Sequence, residues 1–341
     1  MSSRQLFVFI GMCLAACQQV PAAEAAPPSG YVHRKISASG YDVTPLSPAE
    51  VARLARGLTQ AQRDVLLRAG TEPAFCGGLL ENKKPGVYIS ALGGLPLFRS
   101  SAKFESGTGW PSFFAPFDPD HVIEKPDNSG GMARVEILDA RSGGHLGHVF
   151  DDGPRPTGKR YCLNSAALIF VPDGEPLPAQ SQPVNAQKAY FAGGCFWGVE
   201  DILQRTPGVI EATSGYMGGK TAGPGYHQVS SGDTGHAESV EVEFDADRVS
   251  YRHLLEVLFS KIDPTTLNRQ GPDEGTQYRS AIFAADAEQK RVAEQFLRQL
   301  AKEPRFAGRS IVTTVERAQT FWPAEDYHQD YHEKHGGTCE P

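Results

Sequence analysis

Ala189-Tyr190-Phe191-Ala192-Gly193-Gly194-Cys195-Phe196-Trp197-Gly198 decides how the C-terminal half of this 341-residue chain folds. The apolar run Ala189–Ala192 reads as a short buried strand, and the two glycines that follow permit a sharp turn. Phe196, Val199, Ile202 and Leu203 then fall at helical spacing, with Thr206-Pro207-Gly208 as the stop. A strand running into a helix makes this half α/β and puts Cys195 in the first helical turn, where unpaired amides and the helix dipole favour a thiolate. Phe196 and Trp197 would wall a small apolar pocket beside the sulfur. The competing reading is an inert core cysteine between two core aromatics.

Further along, Tyr226 and Ser231-Gly232-Asp233-Thr234-Gly235-His236-Ala237-Glu238 precede an alternating strand, Val240-Glu241-Val242-Glu243-Phe244. Asp263-Pro264-Thr265-Thr266-Leu267-Asn268-Arg269-Gln270, then Asp273 and Gly275-Thr276-Gln277-Tyr278-Arg279-Ser280, continue the polar sequence. Such long polar stretches are costly in a core and line a site or lie in solvent. In this order the segments resemble methionine sulfoxide reductase A from about Gln187 to Cys339. The resemblance implies a ferredoxin-like α+β core. It makes Cys195 the nucleophile on the sulfoxide sulfur, with Phe196 and Trp197 against the substrate methyl, and Glu238 the acid that protonates the oxygen. Tyr226 and Tyr278 would hydrogen-bond that oxygen and Asp273 would belong to the same site. A neutral carboxyl and two phenols suit an oxygen that departs only when protonated. Attack leaves a sulfenic acid that a second thiol must remove, and the resemblance points to Cys339 after Gly336-Gly337. The competing reading of Cys339 is a fixed structural disulfide or an unused thiol.

The N-terminal half begins with two capping boxes, Ser47-Pro48-Ala49-Glu50 and Thr59-Gln60-Ala61-Gln62, each opening a short amphipathic helix that carries Val51, Leu54 and Leu58 or Val65 and Leu66. After Pro73 the pattern turns to strands at Gly86–Ser90, Leu95–Phe98, Ala133–Leu138 and Tyr161–Phe170, separated by Gly, Pro and Asp clusters. A mainly β domain with a helical preface follows. Its landmarks are Lys103-Phe104-Glu105-Ser106-Gly107-Thr108-Gly109-Trp110-Pro111-Ser112-Phe113, His145-Leu146-Gly147-His148-Val149-Phe150 and Arg160-Tyr161-Cys162-Leu163-Asn164-Ser165. They resemble methionine sulfoxide reductase B over roughly Val43 to Val171, which implies a β-tent fold. The same resemblance implies Cys162 as nucleophile, His145, His148 and Asn164 around the sulfoxide oxygen and its water, and Trp110 against the methyl group. A cysteine in a strand has no helix dipole, so a cation such as Arg160 or a histidine must lower its pKa. Two histidines three apart also fit metal ligation.

Two departures from the B-type pattern matter. Many members bind a structural zinc through two C-x-x-C pairs, whereas this chain has Ser90 and Gly93, then Ser142 and its neighbours, in those regions, so no zinc is expected. Many members also keep a resolving cysteine just before the pocket tryptophan, where Thr108 stands here. Some place it earlier instead, and that resemblance makes Cys76 the resolving candidate; otherwise an external thiol recycles Cys162.

At the start, Arg4 and the apolar run Leu6–Ile10 precede Leu14-Ala15-Ala16-Cys17, which resembles a bacterial lipoprotein signal with Cys17 as the lipidated residue. The apolar run is too short to span a membrane, and a plain secretory signal is the simpler alternative. Residues 18–42 then read as a tether, 43–172 as the B-type domain, 173–187 as a linker and 188–341 as the A-type domain. Of the six cysteines, Cys13 leaves with the signal, and the resemblances pair Cys76 with Cys162 and Cys195 with Cys339. With 33 Lys and Arg against 40 Asp and Glu, net −7 and without basic clusters, nucleic acid is excluded as a partner. The expectation is a bifunctional methionine sulfoxide reductase that acts on oxidised proteins or free methionine sulfoxide, needs no cofactor and is recycled by a thioredoxin-like donor. It would be exported to the periplasm and tethered by lipid, with the outer membrane favoured because Gln18 is not the aspartate of inner-membrane retention. Two other classes compete: a non-catalytic surface lipoprotein stapled by the same cysteines, and a disulfide oxidoreductase, which the lack of a C-x-x-C disfavours.

Overall fold

The computed structural model describes residue 31 and residues 33–337. Cys13, Cys17 and Cys339 lie outside them.

Both capping boxes form as the sequence requires. Ser47 with Glu50 starts α1 (Pro48–Ala55), and Thr59 with Gln62 starts α2 (Gln60–Arg68). In each, a hydroxyl accepts the amide three residues on while the longer side chain accepts the cap amide, which satisfies two otherwise orphaned donors. The strands of this half are β1 (Gly86–Ser90), β2 (Pro96–Arg99), β3 (Lys103–Phe104), β4 (Ser112–Phe113), β5 (Val122–Asp127), β6 (Arg134–Asp139), β7 (His145–Phe150), β8 (Arg160–Leu163) and β9 (Leu168–Pro172). They form two antiparallel sheets, β2-β1-β9 and β3-β4-β8-β7-β6-β5. Tyr88, Phe98 and Phe113 fill the space between them with edge-on and tilted ring contacts. Such pairs add roughly 0.5–1.5 kcal/mol beyond their buried area.

One expected strand splits. Tyr161–Phe170 is two strands in different sheets, because the Glu72 carboxylate accepts the amides of Ser165 and Ala166 and turns the chain between β8 and β9. The regions expected to hold zinc in relatives do converge. Ser90 accepts the amide of Gly93, Ser142 donates to Asp139 at 2.5 Å, and a Cβ on Gly93 would lie 2.6 Å from Asp139.

The second half runs β10 (Ala186–Ala192), α3 (Phe196–Gln204), β11 (Val209–Met217), α4 (Tyr226–Ser230), β12 (Ala237–Asp245), α5 (Tyr251–Phe259), β13 (Arg269–Gln270), β14 (Asp273–Glu274), β15 (Ala281–Ala284), α6 (Ala287–Leu300), β16 (Thr314–Arg317), β17 (Trp322–Pro323) and α7 (Tyr331–His335). Its main sheet has the order β16-β15-β10-β12-β11-β17. The inner four strands, β15-β10-β12-β11, pair antiparallel in the order of a βαββαβ ferredoxin-like core. Phe191, Val240 and Val242 from the sheet pack on Leu203, Leu254 and Leu258 from α3 and α5. The α/β reading from Ala189–Gly198 therefore holds.

The described parts of the tether and the linker are packed. In the tether 18–42, Tyr41 joins the core of the first half, Ser37 is buried, and Ile36 bridges Asp42. In the linker 173–187, Ser181 is fully buried with its hydroxyl on the Gly94 carbonyl, and Arg141 donates to the Gln180 carbonyl at 2.6 Å. Buried backbone polar groups need partners, and these segments find them on the halves they adjoin.

Candidate active sites

β10 ends at the turn that carries Cys195. Gly194 has φ +88, and a Cβ there would lie 2.6 Å from the Gln270 side chain, so glycine is required to bring the chain round. Cys195 is the N-cap of α3, one residue ahead of the first-turn position expected for it, and is partly buried. The Phe196 amide, one of the open donors of that helix end, bonds Glu238 Oε2 at 3.0 Å. Glu238 sits on β12, opposite Tyr216 of β11, and is 2 % exposed. Burial pushes its carboxyl up to about 7; the Phe196 amide opposes this and the charge of Asp273 adds to it.

Tyr226 opens α4, Tyr278 ends the turn 276–278, and Asp273 stands in the β13–β14 hairpin. Burial and then the charge of Glu238, with contributions from Tyr226, Asp273 and Cys195, push the Tyr278 hydroxyl up to about 12. Burial and the charges of Glu238 and Cys195 likewise raise Tyr226. Five side chains far apart in sequence thus share one electrostatic neighbourhood, with neutral phenols and a carboxyl poised near neutrality around a thiol.

The C-terminal run supplies residues that sequence reasoning missed. Trp197 donates through Nε1 to His328 Nδ1 at 3.1 Å and stacks face to face on Tyr331, centroids 3.6 Å apart and planes 5° from parallel. His328 is buried against Phe196, Tyr226 and Tyr327, and burial lowers its pKa, so it is a neutral ring. Glu325 accepts the Tyr226 amide and the Tyr216 hydroxyl, each at 3.0 Å. Glu200, buried on α3, accepts the Asp330 amide at 3.1 Å, and burial pushes it up to about 7. The crowding of acids and rings in Glu325–Tyr331 was the available signal.

The first half builds its site across strands. β8 lies between β4 and β7, with Cys162 opposite Ser112 on one side and His148 on the other, and Glu136 of β6 opposite His148. Register partners share a face, so these side chains form one row. A Cβ on Gly147 would collide with the Cys162 carbonyl, so glycine is required beside Cys162. His148 donates to Asp127 at 2.8 Å, and Asp127 also receives Arg134. A pocket of about 130 Å³ is lined by Cys162, Trp110, His148, Asn164, Thr71 and Arg134, among others.

The structure places three of the expected residues as follows. His145 is buried outside that pocket, its Nδ1 donating to Glu136 at 2.7 Å and its ring edge-on to His148 at 5.4 Å. Asn164 reaches the pocket, yet its amide group is tied to the Glu72 amide and the Leu146 carbonyl, which fixes it in place. The Cys162 thiol is raised by burial, which outweighs Thr108, Arg160 and Ser112; the Arg160 guanidinium is held by both oxygens of Asp152 at 2.8 Å.

Cys76 is exposed on a loop stitched to the pocket rim. Glu72 receives Trp110 Nε1 on its carbonyl, and the Phe75 amide donates to the Gly109 carbonyl. Thr108 Oγ1 stands 3.9 Å from Cys162 Sγ. Cys76 and Cys162, the expected pair of the first half, are free thiols, so the stapled-lipoprotein reading finds no support among the described residues.

Comparison with known proteins finds relatives of both halves. A family model described as peptide methionine sulfoxide reductase matches residues 187–340, and one described as the SelR domain matches 58–172. The B-type enzyme of Caulobacter vibrioides is 57 % identical over 143 residues, 42 % of this chain and 90 % of that protein. The A-type enzyme of Deinococcus radiodurans is 51 % identical over 158 residues, 46 % of this chain and 76 % of that protein. The chain belongs to both families. It joins a methionine sulfoxide reductase B domain to a methionine sulfoxide reductase A domain and carries both peptide-methionine sulfoxide reductase activities, one for each epimer. Among solved structures, methionine sulfoxide reductase A of Corynebacterium diphtheriae aligns at 36 % identity with a TM-score of 0.43, over 46 % of this chain and 79 % of that one.

Proposed function

We propose that the A-type half takes the S epimer and the B-type half the R epimer, in oxidised proteins or as free methionine sulfoxide. Cys195 attacks the sulfoxide sulfur while Glu238 delivers a proton to the oxygen, with Tyr226 and Tyr278 donating hydrogen bonds to it. The protonated oxygen passes from the substrate sulfur to the Cys195 sulfur as the S–O bond and the S–S bond formed by the attack both break, so methionine leaves as the thioether and Cys195 is left as a sulfenic acid. The thiol of Cys339 then attacks that sulfur, water departs, and a disulfide forms. Two electrons have passed from two thiols to the substrate, and a thioredoxin-like dithiol restores them.

The observation that carries this reading is the Glu238 carboxyl, 2 % exposed, raised to about 7 and bonded to the amide next to Cys195. A general acid works best when its pKa lies near the working pH. In the B-type half Cys162 attacks, Trp110 walls the methyl, and His148, oriented by Asp127, supplies the proton. Asn164 holds the pocket floor, His145 steadies His148, and Cys76 resolves the sulfenic acid.

Export is part of the proposal. The leader and the lipobox at Cys17 support a lipid-anchored periplasmic enzyme, on the outer membrane by the Gln18 criterion. No helix among the described residues is long and apolar enough to cross a membrane.

The test is turnover of separately prepared S and R methionine sulfoxide peptides with dithiothreitol and then thioredoxin. Cys195→Ser should lose only S turnover and Cys162→Ser only R turnover. Loss of both activities in either variant would refute independent sites.

A further inference from the structure

Tyr31, His33 and Arg34 precede the B-type half in sequence but lie on the A-type half. The Arg34 amide donates to the Ile210 carbonyl of β11, and the Tyr31 hydroxyl donates to Asp201 on α3. Arg205, also bonded to Asp201, places its guanidinium 4.1 Å from the centre of the Tyr31 ring. His33 joins two elements: Nδ1 lies 3.2 Å from Glu211 on β11, and Nε2 lies 2.9 Å from Glu333 on α7 and 3.7 Å from Asp330. At its other end the strap is anchored by Arg34 to Asp42 at 2.7 Å and by Val43 to the Lys35 carbonyl, beside the core of the first half.

α7 needs such support. It is a five-residue helix near the chain end, far too short to hold itself, and termini fray unless tied down. Its ties include Glu200 on the Asp330 amide, Gln329 just ahead of it on the Ser214 amide and carbonyl of β11, Lys334 to Asp330 at 3.4 Å, and the stack of Tyr331 on Trp197. An imidazolium has two donors and bridges two carboxylates, so His33 ties Glu333, inside α7, to Glu211 of the sheet and adds to the anchor that Gln329 gives the start of the helix. Burial opposes the charged ring, and the bonds to Glu333 and Glu211 outweigh it, keeping the pKa of His33 above its ordinary value.

We propose that this strap is a working part of the A-type half, with His33 as a positioning residue that pins α7 and so steadies the Tyr331–Trp197 wall of the S-sulfoxide pocket. The B-type leader thereby completes the substrate wall of the other domain. The inference rests on the reading of Trp197 as that wall.

The experiment measures KM and kcat for S and R methionine sulfoxide peptides in the full chain with dithiothreitol as reductant, for wild type, His33→Ala, Glu333→Ala and the double variant. His33→Ala should raise KM for the S epimer about two- to fivefold, the range of partly exposed ion pairs, with kcat nearly unchanged. The R-epimer constants should stay at wild-type values, which also reports folding. The double variant should be no worse than the worse single variant, because both remove one contact. An unchanged S-epimer KM, additive effects of the two substitutions, or an equal change for both epimers would each overturn the proposal. Cys195→Ser in the same assay keeps the two ideas apart: S turnover without Cys195 would sink the A-type site itself, whatever His33 does.

Discussion

Replacing Glu238 by glutamine tests the chemistry and the electrostatics of the A-type site together. The amide is nearly isosteric and keeps an oxygen for the Phe196 amide, so the turn at Cys195 should persist. It has no proton to give. General acid catalysis contributes roughly 10²–10⁴-fold, and single-turnover S-sulfoxide reduction by the reduced enzyme should fall by that factor at pH 7. Stability should move the other way. Glu238 is raised from 4.5 to about 7, so between those values the unfolded chain releases a proton that the folded chain keeps. Stability is therefore unaffected by this group below about pH 4.5, falls as pH rises towards 7, and is lower by about 3 kcal/mol above that. Glutamine does not titrate, so Glu238→Gln should match wild type near pH 4 and unfold at higher denaturant concentration at pH 8. Single-turnover rates by rapid quench and urea melts at the two pH values supply both numbers. S-epimer activity within tenfold of wild type, or a stability difference that does not grow with pH, would refute the reasoning.

Cys76→Ser should leave one turnover of R sulfoxide per reduced enzyme intact and stop thioredoxin-supported cycling; continued cycling would remove Cys76 from the resolving role. Thr108 Oγ1 lies 3.9 Å from Cys162 Sγ, so adding Thr108→Cys to that variant should restore cycling to within about tenfold, read by thioredoxin-coupled NADPH oxidation. Gly147→Ala forces a methyl into the Cys162 carbonyl and should cost the B-type half about 1–3 kcal/mol together with most R-epimer activity, leaving S-epimer kinetics unchanged. Normal R-epimer kinetics in that variant would show that the close approach is unimportant.

The local features were legible in the chain itself. Ser47–Glu50 and Thr59–Gln62 read as helix starts because a capping box closes within three residues, and Ala189–Gly198 read as strand, turn and helix because periodicity and glycine are properties of neighbours. Both proposed nucleophiles, Cys195 and Cys162, stood out for the same reason, since each lies in a short, distinctive run.

Tertiary structure decided what those residues experience. The row Ser112, Cys162, His148 and Glu136 exists only through strand register, which no single segment encodes. Burial set the Glu238 carboxyl near 7 and kept the Cys162 thiol high despite Arg160, because desolvation depends on everything packed around a group. Tyr331 against Trp197, and His33 reaching Glu333 three hundred positions away, arise where the last helix and the first strap meet on one domain. The sequence read residues 18–42 only as a tether, whereas the Ile210 carbonyl of β11 and the charges of Glu211, Asp330 and Glu333 hold its described residues Tyr31, His33 and Arg34 on this surface.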